Sequence, residues 1–381
     1  MSIRRRFLGW TTALLVAGLA TAGLSSVSAA PVGVRNVNVG SANSCAVYND
    51  NSVKCWGAPI GERMDDEPTQ FATRPQTVPN LSAISVSLNY QHACALTAGR
   101  RVACWGDNAY GRVGQPVATT SVATPTFVPG LSDVQSVTTG REHSCALLLD
   151  GTVRCWGRNT FGQLGTGGSA NSVPTPVSPR NLSDVVSIAA GAASTCAVTN
   201  SGRVWCWGWG HQGELGNATR LSSKVPVMIR SLKRVVSVFS AQSTFCAIKA
   251  DTTGWCWGAG WFGQLGNGSE LSYTTSPVQI ADLEGITSIS VDQESACAVT
   301  SDGSVYCWGS NRQNQLGDGT KTNSSVPILV SLPNTARGVA VGQQHACAAL
   351  PASIRCWGLN TYGQLGNGST TSSEQPSLVE Q

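Results

Sequence analysis

The triplet Cys-Trp-Gly occurs seven times, at intervals of 49 to 51 residues, and this period constrains the fold more than any other feature of the chain. A fixed period of this length is typical of repeat architectures, in which one unit cannot bury its apolar face alone and packs on its neighbours. We therefore expect seven copies of one structural unit, with the triplet tryptophans packed between neighbouring units. These tryptophans are Trp56, Trp105, Trp156, Trp207, Trp257, Trp308 and Trp357.

The copy between residues 185 and 232 shows what one unit contains. Short β-branched and aromatic runs at 185–190, 196–198 and 204–207 are separated by turns that contain glycine. A Gly-rich loop leads to a fourth run at 226–229, which is expected to start at its proline because an edge strand needs no ladder donor there. Four short strands in about 50 residues, without helical periodicity, predict an all-β fold: a seven-bladed β-propeller with four-stranded antiparallel blades.

Each triplet cysteine has a second cysteine ten residues earlier, or nine in the last copy. If Cys145 and Cys155 face each other across a hairpin, Gly151 falls at the loop position that requires a left-handed backbone. Opposed residues of antiparallel strands have Cα atoms about 4.5 to 5.5 Å apart, a distance that a disulfide spans. A metal site is the alternative, but it would need clustered ligands, and these pairs are evenly spread. We predict one hairpin disulfide per blade, in the pairs Cys45 with Cys55, Cys94 with Cys104, Cys145 with Cys155, Cys196 with Cys206, Cys246 with Cys256, Cys297 with Cys307, and Cys347 with Cys356.

The start of the chain has the pattern of an export signal. Residues 1–29 combine a basic start, a mildly apolar run at 10–24 and a small-residue cleavage site at 27–29. An uncleaved anchor is an alternative, although the apolar run is interrupted and short. Export through the twin-arginine route is another, although the disulfides would then have to form in a reducing cytosol. We expect residues 1–29 to be a signal peptide and the protein to be secreted or held at the cell surface, without membrane insertion after the signal is removed.

The rest of the chain has room for one domain only. Residues 30–381 are filled by the seven copies and are expected to form a single propeller. Strand sequence at 34–39 and at 376–379 predicts that the ring closes by pairing one terminal strand into the blade at the other end.

Charge and motif content argue against several classes of function. Removing Arg4 to Arg6 from the 25 Lys and Arg residues leaves 22 against 21 acids, a net charge of +1. Such a chain has no overall field to attract nucleic acid or a membrane surface. It also contains no Gly-x-Ser-x-Gly, His-Glu-x-x-His or P-loop motif. We therefore predict a protein that is not an enzyme, with no catalytic residue and no cofactor.

Three histidines and one acidic run are candidate metal or proton sites. His92, His143 and His345 occupy the same repeat position, two residues before a cysteine, where the other copies have Asn, Ser or Thr. That exchange suits side chains that satisfy backbone groups in a tight turn, with a shared metal or proton role as the alternative. The run at 65–67 is interpreted as a solvated loop tip, with cation binding as the alternative. No metal site is predicted.

The repeats resemble those of the regulator of chromosome condensation family. The third copy carries the motifs Gly-x-x-His-Ser-Cys-Ala-Leu at 140–147, Asp-Gly-x-Val-x-Cys-Trp-Gly at 150–157 and Asn-x-Phe-Gly-Gln-Leu-Gly at 159–165. The Gly-Gln-Leu-Gly element weakens to Gly-Arg-Val-Gly at 111–114 and is missing from the first copy. The resemblance covers the whole mature chain and implies a seven-bladed β-propeller.

What this resemblance implies for function is broader, because one scaffold serves many tasks. The family includes a nuclear exchange factor for a small GTPase, a plant ultraviolet-B receptor and secreted bacterial inhibitors of β-lactamase. With an export signal and paired cysteines, the secreted members fit best. We expect a binding scaffold that recognises an extracellular protein, as an inhibitor or adaptor. Carbohydrate or cell-envelope binding is the alternative, and an exchange-factor-like regulator is a remote one.

Comparison of the seven copies indicates where a partner could bind. Copies 4, 5 and 6 have an aromatic residue two positions before the triplet tryptophan, where most others have a charged one, and copies 4 and 5 add further aromatics in the next loop. Such a sector suits a protein hot spot or a sugar ring, with additional packing between blades as the alternative. The predicted binding residues are Trp205, Trp209, His211, Trp255, Trp261, Phe262 and Tyr306.

Overall fold

The computed structural model describes residues 33–61, 70–89 and 91–380. The predicted signal peptide at 1–29 and the acidic run at 65–67 lie outside these ranges. The described residues are almost entirely β-structure, in 27 strands and one 3-10 turn. Among them, no helix has the length and apolarity needed to cross a bilayer.

The strands form seven blades, numbered here in chain order. Blade 1 contains β1 (Val34–Val39), β2 (Asn43–Tyr48), β3 (Ser52–Gly57) and the start of β4 (Ala72–Leu88); blade 2 contains the end of β4, β5 (His92–Thr97), β6 (Val102–Asp107) and β7 (Ser121–Phe127), with the 3-10 turn at Ala109–Gly111. Blade 3 contains β8 (Val134–Thr139), β9 (His143–Leu148), β10 (Val153–Arg158) and β11 (Ser172–Val177); blade 4 contains β12 (Val185–Ala190), β13 (Ser194–Thr199), β14 (Val204–Gly208) and β15 (Ser223–Met228). Blade 5 contains β16 (Val235–Ala241), β17 (Thr244–Lys249), β18 (Gly254–Ala259) and β19 (Tyr273–Gln279). Blade 6 contains β20 (Ile286–Val291), β21 (Ser295–Thr300), β22 (Val305–Gly309) and β23 (Ser324–Leu329); blade 7 contains β24 (Gly338–Val341), β25 (His345–Ala349), β26 (Ile354–Gly358) and β27 (Ser373–Leu378).

Within each blade, consecutive strands pair antiparallel, which confirms the predicted fold class. Blades 1 and 2 share β4, whose Thr77 pairs with Lys54 of β3 and whose Leu88 pairs with Ala93 of β5. The first two blades are therefore one seven-stranded sheet, and the other five are separate four-stranded sheets. No sequence pattern indicated this shared strand.

One disulfide joins the second and third strands of every blade, which confirms the predicted pairs. Cys145 and Cys155 are directly opposed in the ladder, and the S–S distances of the seven bridges are 2.02 to 2.11 Å. The hairpin turn also follows the prediction, because Gly151 has a φ of 78° and Asn51, at the same position of blade 1, has a φ of 66°. Blade 5 places Thr252 there with a φ of 63°.

The predicted start of the fourth strand was wrong. In blade 4 this strand begins at Ser223, so Pro226 lies inside it. The ladder register shifts between Cys206 and Gly208, directly opposite the proline. A proline is tolerated at such an irregularity on an edge strand because no regular ladder bond is required of it.

The predicted mode of ring closure was also wrong. β1 pairs with β2 and β27 pairs with β26, so neither terminal strand enters the other blade. Closure comes from side-chain packing between blade 7 and blade 1, in a buried cluster that includes Val34, Trp56, Ile354 and Leu365. Each of these two repeats completes its own blade, so the ring is closed by contacts between the facing surfaces of blades 7 and 1.

Candidate binding face on the loops of blades 3 to 5

The loops of each blade lie at two ends. The loops after the first and third strands share one end, which we call the loop face, and the hairpin between the second and third strands lies at the other, which we call the hairpin face. In blade 4, β14 runs from the hairpin face, where Trp205 pairs with Met228, to the loop face, where Gly208 pairs with Ser223. Trp209 follows at the loop face.

The loop after the third strand is ordered by two buried polar side chains. In blade 3, Asn159 Oδ1 accepts a hydrogen bond from the backbone N–H of Leu164 at 3.1 Å, and Gln163 Oε1 accepts one from Phe161 at 3.0 Å. Leu164 is fully buried beneath them. These bonds explain the Asn-x-Phe-Gly-Gln-Leu-Gly motif, because each polar group caps a turn that the glycines allow.

This loop also joins its blade to the next one. The backbone carbonyl of Gln163 accepts hydrogen bonds from Trp207 Nε1 at 2.8 Å and from Thr195 Oγ1 at 2.9 Å, both in blade 4. The predicted packing of the triplet tryptophans between blades is confirmed, and the indole N–H adds a directed bond. Within the described ranges, the same indole bond occurs in the pairs Trp56 with Gln364, Trp156 with Arg112, Trp257 with Glu214, Trp308 with Gln264, and Trp357 with Gln315.

The three repeat-position histidines take part in the same junction. His143 Nε2 lies 2.9 Å from Thr195 Oγ1. Because that hydroxyl donates to the carbonyl of Gln163, it accepts from the histidine. His92 bonds Ser144 and His345 bonds Ser44 at the same distance, each in the following blade. The expectation that these histidines bond backbone groups in a tight turn was therefore wrong. The partner is a hydroxyl of the following blade, 52 residues away in sequence for His92 and His143 and 301 residues away for His345.

Burial keeps these histidines neutral. All three are fully buried, and the loss of hydration lowers the pKa of His143 and of His345 to about 3 and that of His92 well below its usual value. No group of three or more metal-ligating side chains occurs in the part of the chain that the structure describes. The histidines hold blades together.

A continuous row of aromatic rings and arginines crosses the loop face. Phe161 meets Trp209 edge to face, with ring centroids 4.5 Å apart, and Trp209 stacks on His211 at 4.1 Å. On one side, the guanidinium of Arg158 lies 4.7 Å from the ring centroid of Tyr110 and 5.8 Å from that of Phe161. Arg158 also forms an ion pair with Glu142.

The row continues into blade 5 through a second arginine. Arg220 Nε donates a hydrogen bond to the carbonyl oxygen of His211 at 2.7 Å, and its guanidinium lies 4.7 Å from the ring centroid of Tyr273. We call this row the aromatic row; its members are Tyr110, Arg158, Phe161, Trp209, His211, Arg220 and Tyr273. It spans blades 2 to 5, and each of its rings contacts a neighbouring ring or guanidinium.

Blades 4 and 5 differ from blades 2, 3, 6 and 7 in the residue that orders the loop after the third strand. The loop-ordering asparagine is replaced by Gly210 and Gly260. A Cβ atom at Gly210 would lie 2.5 Å from the carbonyl oxygen of Leu221, so asparagine does not fit there. Large apolar side chains are exposed on these two loops: Leu221 by 74%, Trp261 by 49%, Leu271 by 45% and Tyr273 by 37%. Where copies 6 and 7 have Thr322 and Thr371, copies 4 and 5 have these leucines.

The structure separates the seven predicted binding residues into two groups. Trp209, His211, Trp261 and Phe262 lie on the loop face. Trp205 lies toward the hairpin face, Trp255 packs against the core between blades 4 and 5, and Tyr306 packs against the next interface. Trp255 and Tyr306 therefore lie where the alternative interpretation, additional packing between blades, would put them. Sequence reasoning missed Leu221 and Leu271, although the joint loss of asparagine and gain of leucine in copies 4 and 5 was visible.

The chain is similar to known proteins over most of its length. The sequence model of the RCC1-like domain matches residues 60–381. The ultraviolet-B receptor UVR8 of Arabidopsis thaliana is 30% identical over 334 residues, covering 84% of this chain and 76% of the receptor. The human E3 ubiquitin-protein ligase HERC2 is 31% identical over 304 residues, and the probable ligase HERC4 of Rattus norvegicus is 29% identical over 265 residues. The chain spans only 5% and 20% of the lengths of these two ligases.

Solved structures share the fold at lower sequence identity. Prp20p of Saccharomyces cerevisiae superposes with a TM-score of 0.75 at 23% identity, covering 93% of this chain and 87% of Prp20p. Human WBSCR16 superposes with a TM-score of 0.76 at 19% identity, covering 87% of this chain and 95% of WBSCR16. At sequence identities of 19% and 23%, this structural similarity establishes the fold alone.

Proposed function

The chain belongs to the RCC1-like domain family, and from this we propose that it is a secreted, non-catalytic scaffold that recognises an extracellular protein through its loop face. The family relationship supports a binding or regulatory role. The chain matches only a small part of each ligase relative, so ligase activity is not carried over to it.

The observation that carries this proposal is the group of exposed apolar side chains on two adjacent loops. Leu221, Trp261 and Leu271 are exposed on the loops of blades 4 and 5, together with Tyr273, which also belongs to the aromatic row. We call these four residues the apolar patch. Exposed apolar groups gathered in one place are typical of protein-binding sites, and aromatic anchors dominate the affinity of such sites. Because contacts within the aromatic row restrain these loops, less conformational entropy would be lost on binding.

Export is proposed from two further features. Residues 1–29 have the composition of a signal peptide. The seven disulfides persist best in an oxidising compartment. Detection of the mature chain in the culture medium or on the cell surface, with its N-terminus near residue 30, is the result expected; retention of the full chain in the cytosol would contradict it.

Affinity capture from the native extracellular milieu tests the binding role. The wild-type chain should retain a specific protein that the double variant Leu221→Ser, Leu271→Ser does not retain. Leu329→Ser with Leu378→Ser is the matched control, because these leucines are 56% and 48% exposed on the outer strands of blades 6 and 7. Equal capture by all three proteins would contradict a role for the apolar patch.

Carbohydrate binding is the second candidate, because half of the Trp261 side chain is exposed and an indole face stacks well on a sugar ring. A glycan that binds the wild-type chain and is lost with Trp261→Ala would favour this candidate over a protein partner. Exchange-factor activity is the remote alternative, and an assay of nucleotide release from a small GTPase tests it.

A further inference from the structure

Two arginines bracket the loop of blade 5 from either side. Arg220 of blade 4 lies over the ring of Tyr273, and Arg312 of blade 6 lies 5.4 Å from the ring centroid of Phe262. Both aromatic rings belong to blade 5. The exposed apolar residues Trp261 and Leu271 belong to the same segment.

These arginines differ from Arg158, the third arginine stacked on this face. Arg158 is neutralised by its ion pair with Glu142. Neither Arg220 nor Arg312 forms an ion pair with a carboxylate among the described residues, and both are exposed. Stacking on an aromatic ring restrains each guanidinium, so its hydrogen-bonding edge is presented in a narrow range of directions.

The arrangement has a clear chemical counterpart. A guanidinium accepts a carboxylate through two parallel hydrogen bonds, and restraint of the guanidinium before binding reduces the entropy lost. An apolar surface with a restrained arginine on either side is complementary to a peptide segment that has an apolar side chain between two carboxylates. The near-neutral net charge of residues 30–381 disfavours a long polyanion such as a nucleic acid.

We propose that the partner inserts a surface segment in which Asp or Glu residues flank an aromatic or aliphatic side chain. The apolar side chain contacts Trp261 and Leu271, and the flanking carboxylates pair with Arg220 and Arg312. This inference rests on the proposed binding function of the loop face and specifies the chemistry of the segment that the face recognises.

Selection of displayed peptides tests this chemistry while the partner is unidentified. A phage library of disulfide-cyclised nine-residue peptides is selected on the folded chain at low salt. The best peptides are then synthesised and titrated against three proteins: the double variant Arg220→Gln, Arg312→Gln, the double variant Leu221→Ser, Leu271→Ser, and the control Arg230→Gln, which removes an exposed arginine elsewhere.

The expected peptides carry acidic residues on both sides of an apolar one. Their affinity should fall at least tenfold with the double arginine variant, fall with rising salt, and stay unchanged with Arg230→Gln. Peptides without acidic enrichment, or unaffected by the arginine variant while lost with the leucine variant, would overturn the acidic-segment inference and leave the binding face intact. Failure to obtain any peptide sensitive to either double variant would overturn both proposals.

Discussion

His345 in the last blade lies 2.9 Å from Ser44 in the first blade, measured from Nε2 to Oγ, across the point where the ring closes. The Ser44 hydroxyl donates onward to the carbonyl oxygen of Gln364, which also accepts from Trp56 Nε1. The interfaces of blades 2 and 3 and of blades 3 and 4 contain the same junction. The closing interface is therefore built like an internal one.

The buried histidines should make the protein less stable in mild acid. Their pKa in the folded chain is far below the unfolded value of about 6.5, so protonation favours unfolding as the pH falls below 6.5 toward 3 and has no effect above 6.5. At pH 5.5 the cost is roughly 1 kcal/mol for each histidine. The variant His345→Gln, which keeps a donor toward Ser44, should reduce the loss of unfolding free energy between pH 7.5 and 5.5. Identical pH dependence of variant and wild type in urea titrations would contradict this.

Glu214 is a buried carboxyl at a position where four other copies have glutamine. Its Oε2 accepts from the backbone N–H of Gln212 at 2.8 Å, as the glutamine oxygens do in their own loops. Burial raises the pKa of Glu214, so ionisation favours unfolding as the pH rises above its unfolded value. Glu214→Gln should therefore increase the free energy of unfolding at pH 7.5 and have a smaller effect at pH 4.5. A loss of stability at pH 7.5 would count against this explanation of the loop.

Thr252 has a left-handed backbone that is unfavourable for a β-branched residue. Its counterparts Gly151, Gly202 and Gly303 adopt this conformation without a steric penalty. Thr252→Gly should raise the free energy of unfolding by up to about 1 kcal/mol. This is the strain relieved in the left-handed backbone minus the extra backbone entropy that glycine gives the unfolded chain. The reverse change, Gly202→Thr, should lower it by more, because a Cβ there would also lie 3.0 Å from the Cα of Arg234. Differential scanning calorimetry measures both, and a lower melting temperature for Thr252→Gly would refute the presence of strain.

The indole N–H of the triplet tryptophans should contribute to the joining of blades. Trp207→Phe keeps most of the ring and removes the bond to Gln163, so it should cost about 1 to 3 kcal/mol including the packing change. Trp105→Phe is the control, because among the described residues no hydrogen bond of Trp105 Nε1 is found. The two variants should therefore differ, with Trp207→Phe the less stable by chemical denaturation. Equal losses would assign the effect to packing alone.

Local sequence signals predicted the parts of the fold that depend on local geometry. The hairpin turn at 149–151 and the cysteine pair on either side of it are set by a few neighbouring residues, and both were predicted correctly. The shared strand β4 was missed because the link between the first two copies contains a left-handed residue, Asn80, just as the link after blade 3 contains Asn181. What joins the two blades is the pairing of Ser82 with Ser52, which no local signal in the sequence distinguishes. The start of the fourth strand was missed because edge strands tolerate a proline inside them.

Contacts between blades were less predictable from one sequence. His143 and Thr195 lie in different copies, and no local pattern links them. A comparison of copies holds the signal: histidine occurs only where the following copy has Ser or Thr before its first cysteine, at Ser44, Ser144 and Thr195. The other copies have Ala93, Phe245, Ala296 and Ala346 at that position. Similarly, strand alternation predicted that Trp205 and Trp207 share one face of the sheet. It could not show that Trp205 lies near the hairpin end of the strand whereas Trp209 follows its loop end.

If each repeat builds and locks its own blade, the loops of blades 4 and 5 are held as a fixed binding face. Proteolysis of the native, unreduced protein followed by mass spectrometry of the linked peptides shows which cysteines are joined. Seven bridges are expected, each within one repeat and separated by ten residues or, for Cys347 with Cys356, nine, with no free thiol. Bridges between different repeats, or several free thiols, would show that the repeats are not locked one by one.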